Sequence, residues 1–277
     1  MPNRTRGEKT MEQMEQQLNL DQVKSMFSLE GKAAIVTGGA GALGESIAMA
    51  LALYGADVVI TGRTLRTLEG AVDRIKTNTG RKVMPITCDV SNEEQVAELV
   101  KKTVDEFGKI DILVTAAGIA KRYPAEDFPV EAFDEVMDIN VKGTFLCCKH
   151  VGRVMINQRR GKIVTISSVR GFAGHPGGYA AYGTSKGAVN LLTKQLATEW
   201  AKYNINVNAV APTIFWTPLT KEVLENESLK QIFLSRIPMG RAAVTQDIVG
   251  AVVFFASPAS DFITGQILYV DGGCTAG

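Results

Sequence analysis

The 277-residue sequence has little net charge and few long apolar runs. It carries 30 basic and 29 acidic residues, which gives a formal net charge of +1. This balance offers no electrostatic reason to expect a nucleic acid or an anionic membrane as a partner. The longest apolar runs, such as IAMALALYGADVVI, are interrupted by Gly and Asp, well short of the ~20 residues that a transmembrane helix needs. We therefore expect neither a nucleic-acid partner nor a membrane span.

Cysteine and histidine, which form disulfides and zinc sites, are also scarce. The chain has two histidines and four cysteines, Cys88, Cys147, Cys148 and Cys274. None of the cysteines shows C-x-x-C spacing, so we expect no bound metal. Scattered cysteines without a framework fit a reducing compartment, and the polar start MPNRTRGEKTMEQMEQQ lacks the apolar core of a secretory signal. Both features predict a cytoplasmic protein.

From residue 32 onward, short β-branched runs alternate with segments of helical period. Seven strands are predicted at 32–38, 57–62, 82–90, 110–118, 161–168, 205–212 and 265–273. Helices are predicted near 44–54, 64–78, 92–107, 130–157, 182–203 and 245–256. This alternation predicts a single α/β domain over residues 29–277, a doubly wound parallel sheet with helices on both faces. Residues 1–28 are predicted to be an N-terminal extension, either used in subunit packing or a disordered tail.

The helix predicted near 92–107 has a recognisable start signal. The sequence SNEEQ follows Val90. It places Ser91 as the helix cap, with Glu94 three residues later to complete a capping box.

Segment 213–237 lies between two predicted strands but has no strand pattern of its own. It follows the carboxyl end of a strand, the edge at which open α/β sheets bind ligands. Two interpretations stay open: a substrate lid, or a surface helical hairpin with no ligand role.

The stretch TGGAGALG, residues 37–44, follows the first predicted strand and continues directly into a helix. Glycine permits the tight turn and the close approach of backbone to a pyrophosphate, and the helix N-terminus supplies amide donors with a partial positive charge. A second predicted strand follows the helix and ends at Gly62, which is the context that this motif requires. The loop therefore predicts a Rossmann-type, dinucleotide-binding fold.

The end of that second strand bears on which dinucleotide binds. An NAD-specific enzyme usually places an acidic residue there for the ribose hydroxyls, whereas this sequence has Thr61, Gly62 and Arg63. Without a carboxylate to repel a 2′-phosphate, and with a guanidinium beside it, NADP(H) is favoured over NAD(H). Arg63 stacking on the adenine or facing solvent stays open as an alternative.

The sequence YGTSK places Tyr182 and Lys186 four residues apart. On a helix, side chains with this spacing share one face, with Cβ atoms ~5–6 Å apart. A cation held beside an ionisable hydroxyl can form an acid–base catalyst. Taken alone, the pair is equally compatible with an ordinary helix surface.

Together these features resemble the short-chain dehydrogenase/reductase family over nearly all of residues 29–277. The motifs stand in the family's order: TGGAGALG (37–44), CDV (88–90), AAG (116–118), IN (139–140), ISS (166–168), YGTSK (182–186), NAVAP (208–212) and ITGQILYVDGG (263–273). Each is weak alone, but agreement of the whole ordered set by chance is negligible.

The resemblance implies a catalytic set of Asn140, Ser168, Tyr182 and Lys186. Tyr182 would exchange a proton with the substrate oxygen as hydride passes to or from a nicotinamide, and nearby positive charge would have to stabilise its phenolate. Ser168, rather than Ser167, would orient the substrate oxygen. Lys186 would also hold the nicotinamide ribose, and Asn140 would fix a water molecule that extends the proton path.

The resemblance further implies a set of cofactor contacts. They are Gly38, Gly41, Ala42, Leu43, Gly44, Arg63, Asp89, Val90, Ala117, Gly118, Tyr182, Lys186, Pro212, Ile214 and Thr217. The sequence departs from the family at the TAAG motif, where two asparagines are usual. The hydrogen bonds that these asparagines make are expected to fall partly to Thr115 and partly to vanish.

Within the family, the chain looks most like the branch that includes gluconate 5-dehydrogenases and related sugar-acid and polyol reductases. The implied reaction links a secondary alcohol to a ketone on a small molecule. Beyond Ser168, the candidate substrate contacts are Arg122, His175, Tyr179 and Trp216. Arg122 could pair with a substrate carboxylate, and Arg170, His175 and Tyr179 lie on the loop before Tyr182. Surface or packing roles for Arg122, His175 and Trp216 stay open.

Two other functions remain as alternatives. A 3-oxoacyl-thioester reductase shares the fold and the catalytic set, but it would favour a basic docking surface for an acyl carrier, which a nearly neutral chain does not suggest. A non-catalytic nucleotide sensor would bind NADPH without consuming it. By analogy with the family we also expect a homotetramer, built on helices 141–157 and 182–203 and the C-terminal strand.

Overall fold

The computed structural model describes residues 19–217 and 220–276. Its seven strands are β1 Ala33–Thr37, β2 Asp57–Gly62, β3 Val83–Thr87, β4 Ile112–Thr115, β5 Gly161–Ile166, β6 Ile205–Pro212 and β7 Ile267–Val270. They form one sheet in the order β3-β2-β1-β4-β5-β6-β7, in which all neighbouring strands run parallel. Each lies within its predicted segment, so the predicted fold class is confirmed.

Helices connect successive strands and cover both faces of the sheet. They are α1 Leu20–Ser25, α2 Ala42–Leu53, α3 Leu65–Thr79, α4 Glu93–Phe107, α5 Val130–Met137, α6 Gly143–Gln158, α7 Ala180–Trp200, α8 Lys221–Glu225, α9 Glu227–Leu234 and α10 Gln246–Ala256. In the part of the chain that the structure describes, no helix is long and apolar enough to cross a membrane.

The central strands are buried on both faces, which explains their continuous apolar sequences. In β1, Ala34 and Val36 join one core cluster with α2, α3 and α10, while Ile35 joins the other with α4 and α6. Because side chains alternate across a strand, one short strand contributes to both layers. The strand order reverses between β1 and β4. That reversal opens a crevice at the carboxyl ends of the strands, where ligands bind in folds of this type.

The predicted cap of α4 is wrong by one residue. Asn92 is the cap, and its Oδ1 accepts a hydrogen bond from the backbone N–H of Gln95 at 3.0 Å. The Ser91 hydroxyl instead donates to Asp89 Oδ1 at 2.7 Å. A carboxylate two residues before the serine outcompetes the amide as its partner.

The helix predicted over 130–157 is divided by a π-helical turn, Asp138–Lys142, between α5 and α6. Such turns insert an extra residue into the helix and are common at functional sites. Asn140 lies in the middle of this one.

The segment predicted as a lid or hairpin forms two short helices, α8 and α9. Its apolar side chains pack in a small cluster of their own, separate from the two main cores. The buried members are Ile214, Val223, Leu224 and Ile237 of the segment and Ala242, which follows it in the chain. Residues 218 and 219 of this segment, and residues 1–18 of the N-terminal extension, lie outside the described residues.

Candidate active site

Lys186 is buried on the first turns of α7, with 6% of its surface exposed. Its Nζ donates a hydrogen bond to the backbone oxygen of Ile166, at the end of β5, at 2.8 Å. The same Nζ lies 5.6 Å from the centre of the Tyr182 ring. Burial lowers the pKa of Lys186 from 10.5 to about 8, because a low-dielectric environment disfavours the charged amine. The lysine is therefore still mostly protonated at neutral pH.

Tyr182 is held beside Ser168. Burial raises the pKa of the Tyr182 phenol, while its hydrogen bond to Ser168 and the charge of Arg170 lower it. The net direction is upward. The phenol alone is therefore protonated at neutral pH, which is the state that a proton donor to a carbonyl needs.

Asn140 joins the π turn to two other elements. Its Oδ1 accepts from the N–H of Ile119 at 2.8 Å, and its Nδ2 donates to the Ile119 oxygen at 2.9 Å. Nδ2 also donates to Ser185 Oγ at 3.0 Å, and that hydroxyl donates to the Tyr182 backbone oxygen at 2.7 Å. Asn140 thus fixes the loop after β4 and, through Ser185, the first turn of α7.

The two serines after β5 face different surroundings. Ser168 lines a cavity, and its Oγ accepts a hydrogen bond from the Arg170 N–H at 3.1 Å. Ser167 is buried, and its hydroxyl donates to the Lys186 backbone oxygen at 3.3 Å. The structure therefore places Ser168, not Ser167, beside the space that a substrate would enter.

A cavity of about 170 Å³ lies against Ser168 and Tyr182. This volume is enough for a small molecule. Of the candidate substrate contacts, Arg122, Ser168 and Tyr179 line it, as does Ile214 from the cofactor set. The remaining lining residues are Ala120, Val169, Arg170, Thr213, Thr220, Val223 and Phe233. Arg170 was named from the sequence for its place on the loop before Tyr182, and the others were not proposed.

Two further substrate candidates lie outside this cavity. His175 stacks on Phe233, with ring centres 4.9 Å apart, and lines a neighbouring cavity with Arg122 and Tyr179. Burial, reinforced by Arg170, Arg236 and Arg122, lowers the pKa of His175 to about 4. Trp216 is 43% exposed and does not line the catalytic cavity.

The glycine loop after β1 is shaped for close approach to a ligand. Gly38 has a φ of 65°, a backbone conformation that L side chains rarely adopt, and a Cβ there would lie 2.9 Å from Ala117 Cα. A Cβ on Gly44 would collide with the Gly38 carbonyl oxygen. Gly41 caps α2 with no side-chain hydrogen bond, so the first amides of the helix have no side-chain acceptor. This set of donors fits a dinucleotide pyrophosphate.

The other cofactor candidates follow the ends of neighbouring strands at the same edge. Arg63 follows β2 and is exposed, and Asp89 follows β3. Hydrogen bonds from the Ser91 hydroxyl and N–H to Asp89 Oδ1 lower the pKa of the Asp89 carboxyl. Gly118 follows β4, and a Cβ there would lie 3.1 Å from Asn140 Oδ1. One edge of the sheet thus brings the catalytic and cofactor candidates together.

The remaining positions of the cofactor set lie on the same elements. Ala42 and Leu43 start α2, Val90 follows Asp89, Pro212 ends β6, and Thr217 hydrogen bonds to Thr220. The expectation for Thr115 is wrong, because its Oγ1 is buried without a hydrogen-bond partner. Thr37 Oγ1 instead accepts from the Ala117 N–H at 3.1 Å. Among the described residues, no group of three or more His, Cys, Asp or Glu side chains could hold a metal ion.

Comparison with known proteins identifies relatives that cover almost the whole chain. Residues 38–275 match a family model described as enoyl-(acyl carrier protein) reductase. The chain is 39% identical to gluconate 5-dehydrogenase of Gluconobacter oxydans over 90% of its own length and 97% of the relative's. It is 40% identical to 2-dehydro-3-deoxy-D-gluconate 5-dehydrogenase of Dickeya dadantii over 92% of its own length and 99% of the relative's.

A solved structure shows the same fold with ligands bound. It is a gluconate 5-dehydrogenase of Burkholderia cenocepacia in complex with NADP and tartrate. The two chains superpose with a TM-score of 0.88 at 34% identity, over 92% of this chain and 99% of the other.

Proposed function

The chain belongs to the short-chain dehydrogenase/reductase family of oxidoreductases, and we propose that its substrate is a sugar acid whose secondary alcohol it interconverts with a ketone. The observation that carries the proposal is that Ser168 and Tyr182 line one small cavity, with the buried Lys186 ammonium 5.6 Å from the centre of the Tyr182 ring.

The glycine loop, Asp89, Gly118 and Lys186 are the residues that would hold a nicotinamide dinucleotide. When bound, this cofactor supplies or accepts the hydride. Ser168 Oγ donates a hydrogen bond to the substrate oxygen and orients it. The Tyr182 hydroxyl donates its proton to that oxygen during reduction, and the Tyr182 phenolate accepts the proton of the substrate alcohol during oxidation.

Lys186 and Asn140 support this proton transfer in different ways. The Lys186 ammonium, 5.6 Å from the Tyr182 ring, favours the phenolate that remains after the proton leaves. Asn140 is a positioning residue. Its hydrogen bonds to Ile119 and Ser185 keep the loop after β4 and the start of α7 at a fixed separation.

NADP(H) is the proposed cofactor in preference to NAD(H). Arg63 is exposed after β2, where its guanidinium can bind a 2′-phosphate. Its sequence neighbours Gly62 and Thr64 carry no charge, and the Asp89 carboxylate is close enough for Arg63 to lower its pKa. The Burkholderia cenocepacia relative, which binds NADP, supports the preference.

The proposed substrates are gluconate and related aldonic acids. The relatives from Gluconobacter oxydans and Dickeya dadantii act on gluconate and on 2-dehydro-3-deoxy-D-gluconate. The two guanidinium groups that line the cavity, Arg122 and Arg170, suit an anionic polyol. A 3-oxoacyl thioester, with a long uncharged chain, matches these features less well.

The test is a turnover assay on the purified protein. Gluconate, 5-ketogluconate, sorbitol, a diketone and an acetoacetyl thioester are each supplied with NADP(H) and with NAD(H), and the reduced cofactor is followed by absorbance. We expect the highest kcat/KM for the gluconate pair with NADP(H). Turnover confined to the thioester would establish the acyl reductase instead. NADPH binding without turnover on any compound would indicate a sensor.

We also propose a homotetramer in the cytoplasm. Large apolar side chains are exposed on α6 (Phe145), on α7 (Leu191) and on β7 (Leu268), the elements expected to form subunit contacts. The four cysteines are free thiols, which suits a reducing compartment. Sedimentation equilibrium tests the assembly, since a mass near the 29.8 kDa of one chain contradicts it.

A further inference from the structure

Arg170 is a partly buried guanidinium in the wall of the catalytic cavity. It lies on a short 3₁₀ turn, Val169–Gly171, directly after Ser168. Its Nη1 donates hydrogen bonds to the backbone oxygens of Gly174 at 3.1 Å and Ala173 at 3.5 Å. These contacts hold the side chain in place without neutralising its charge.

No Asp or Glu side chain among the described residues forms an ion pair with Arg170, although other arginines of the chain do form such pairs. Arg74 contacts both carboxylate oxygens of Glu45, and Arg241 contacts both of Asp247. Burial lowers the pKa of the Arg170 guanidinium. Removing a cation from water without an anionic partner costs free energy. Arg170 is therefore placed to bind an anionic group of a ligand.

Two more guanidinium groups add to the positive potential around Arg170. Arg122 lines the same cavity, and Arg236 lines a neighbouring cavity that shares Arg170 as its wall. Burial of His175 lowers its pKa, and the charges of all three arginines lower it further, so His175 is neutral at physiological pH. The mouth of the site therefore attracts anions.

We propose that Arg170 determines substrate specificity by binding the substrate carboxylate while Ser168 and Tyr182 bind the reacting oxygen. The proposal rests on the sugar-acid function above and assigns the carboxylate to a particular side chain. Arg122 is the weaker candidate, because it is exposed and its guanidinium lies 5.9 Å from the Tyr179 ring centre. Exposed charges contribute little to an ion pair because water screens them.

The test compares gluconate with sorbitol, which has the same six-carbon chain without the carboxylate. Arg170→Met removes the guanidinium but keeps the backbone N–H that bonds Ser168 Oγ. We expect a loss of about 10- to 100-fold in gluconate affinity, the range for a charged hydrogen bond, measured by calorimetry with NADPH present, because gluconate cannot react with the reduced cofactor. In turnover, KM for gluconate should rise far more than KM for sorbitol, whereas any change in kcat through the effect of Arg170 on the Tyr182 pKa should be shared by both substrates. Arg170→Lys should recover part of the affinity.

Arg236→Met is the matched control, because Arg236 does not line the catalytic cavity. It should change gluconate affinity much less than Arg170→Met does. Wild-type affinity in Arg170→Met, a larger loss in Arg122→Met, or no gluconate binding by the wild type would overturn the assignment. Gluconate binding that depends on Arg170 without any turnover would reject the proposed function and retain the carboxylate site.

Discussion

The Nζ of Lys186 donates a hydrogen bond to the backbone oxygen of Ile166 at 2.8 Å. This bond ties the start of α7 to the carboxyl end of β5, just before Ser167 and Ser168. It also anchors a cation in the interior, where burial lowers its pKa. Lys186 is thus placed for function in a position that is unfavourable for stability.

Replacing Lys186 with Met should stabilise the apoprotein and impair the enzyme. We expect the free energy of unfolding to rise by about 1–2 kcal/mol at pH 7. The reason is that burying the Lys186 ammonium costs more free energy than its one hydrogen bond contributes. The folded-state pKa of about 8 lies below the ordinary 10.5, so wild-type stability rises with pH across that window. The advantage of the variant should therefore shrink between pH 8 and 10.5. Urea denaturation across this pH range measures it, and an advantage that does not change with pH would contradict the buried-charge explanation.

Replacing Tyr182 with Phe should lower kcat by about 10²- to 10⁴-fold, the usual contribution of a positioned proton donor. The ring, and hence the packing, is retained, so cofactor affinity and thermal stability should stay near the wild-type values. Steady-state kinetics and a thermal melt measure the two effects. Tyr203→Phe is the control, since that tyrosine follows α7 at its far end. A Tyr182→Phe variant with wild-type kcat would disprove the proton-transfer role.

Replacing Arg63 with Ala should raise the Michaelis constant for NADPH by about tenfold or more, equivalent to ~1.4 kcal/mol, and leave that for NADH nearly unchanged. The reason is the loss of the cation proposed to contact the 2′-phosphate. Arg66→Ala, in the first turn of α3 and also exposed, should have little effect on either constant. Equal changes for both cofactors would instead indicate stacking on the adenine.

Replacing Gly44 with Ala should abolish cofactor binding and destabilise the fold, because its Cβ would collide with the Gly38 carbonyl oxygen. Gly70→Ala in the middle of α3 is the matched control. A Cβ there meets only the end of the Arg74 side chain at 3.5 Å, and alanine favours the helix by about 1 kcal/mol. Fluorescence titration with NADPH and thermal melts should separate the two variants.

Seven strands could be predicted from the sequence because buried parallel strands are continuously apolar and end at glycine or polar residues. The π turn at Asp138–Lys142 could not, since its amphipathic pattern differs little from that of an unbroken helix. The cap at Ser91 was misassigned because Asp89 competes for the same hydroxyl.

The positions of the site residues were predictable where a motif fixes them to the end of a strand or the start of a helix. Ser168, Tyr182 and Lys186 are examples. Loop side chains were harder, because their direction depends on partners distant in sequence. His175 stacks on Phe233, which lies in α9. Trp216 is 43% exposed, on a segment whose backbone N–H donates a hydrogen bond to the Ala243 oxygen.

The π turn has a consequence for how this protein could be engineered. Each helical residue advances by about 100° around the axis, so deleting one residue to restore a regular α-helix would rotate one side of the turn relative to the other. Either Asn140 would lose its hydrogen bonds to Ile119, or α6 would lose its packing against the sheet. Attempts to increase thermal resistance by regularising this helix should therefore leave residues 138–142 unchanged. The irregular winding of these residues sets the distance between the loop after β4 and the start of α7.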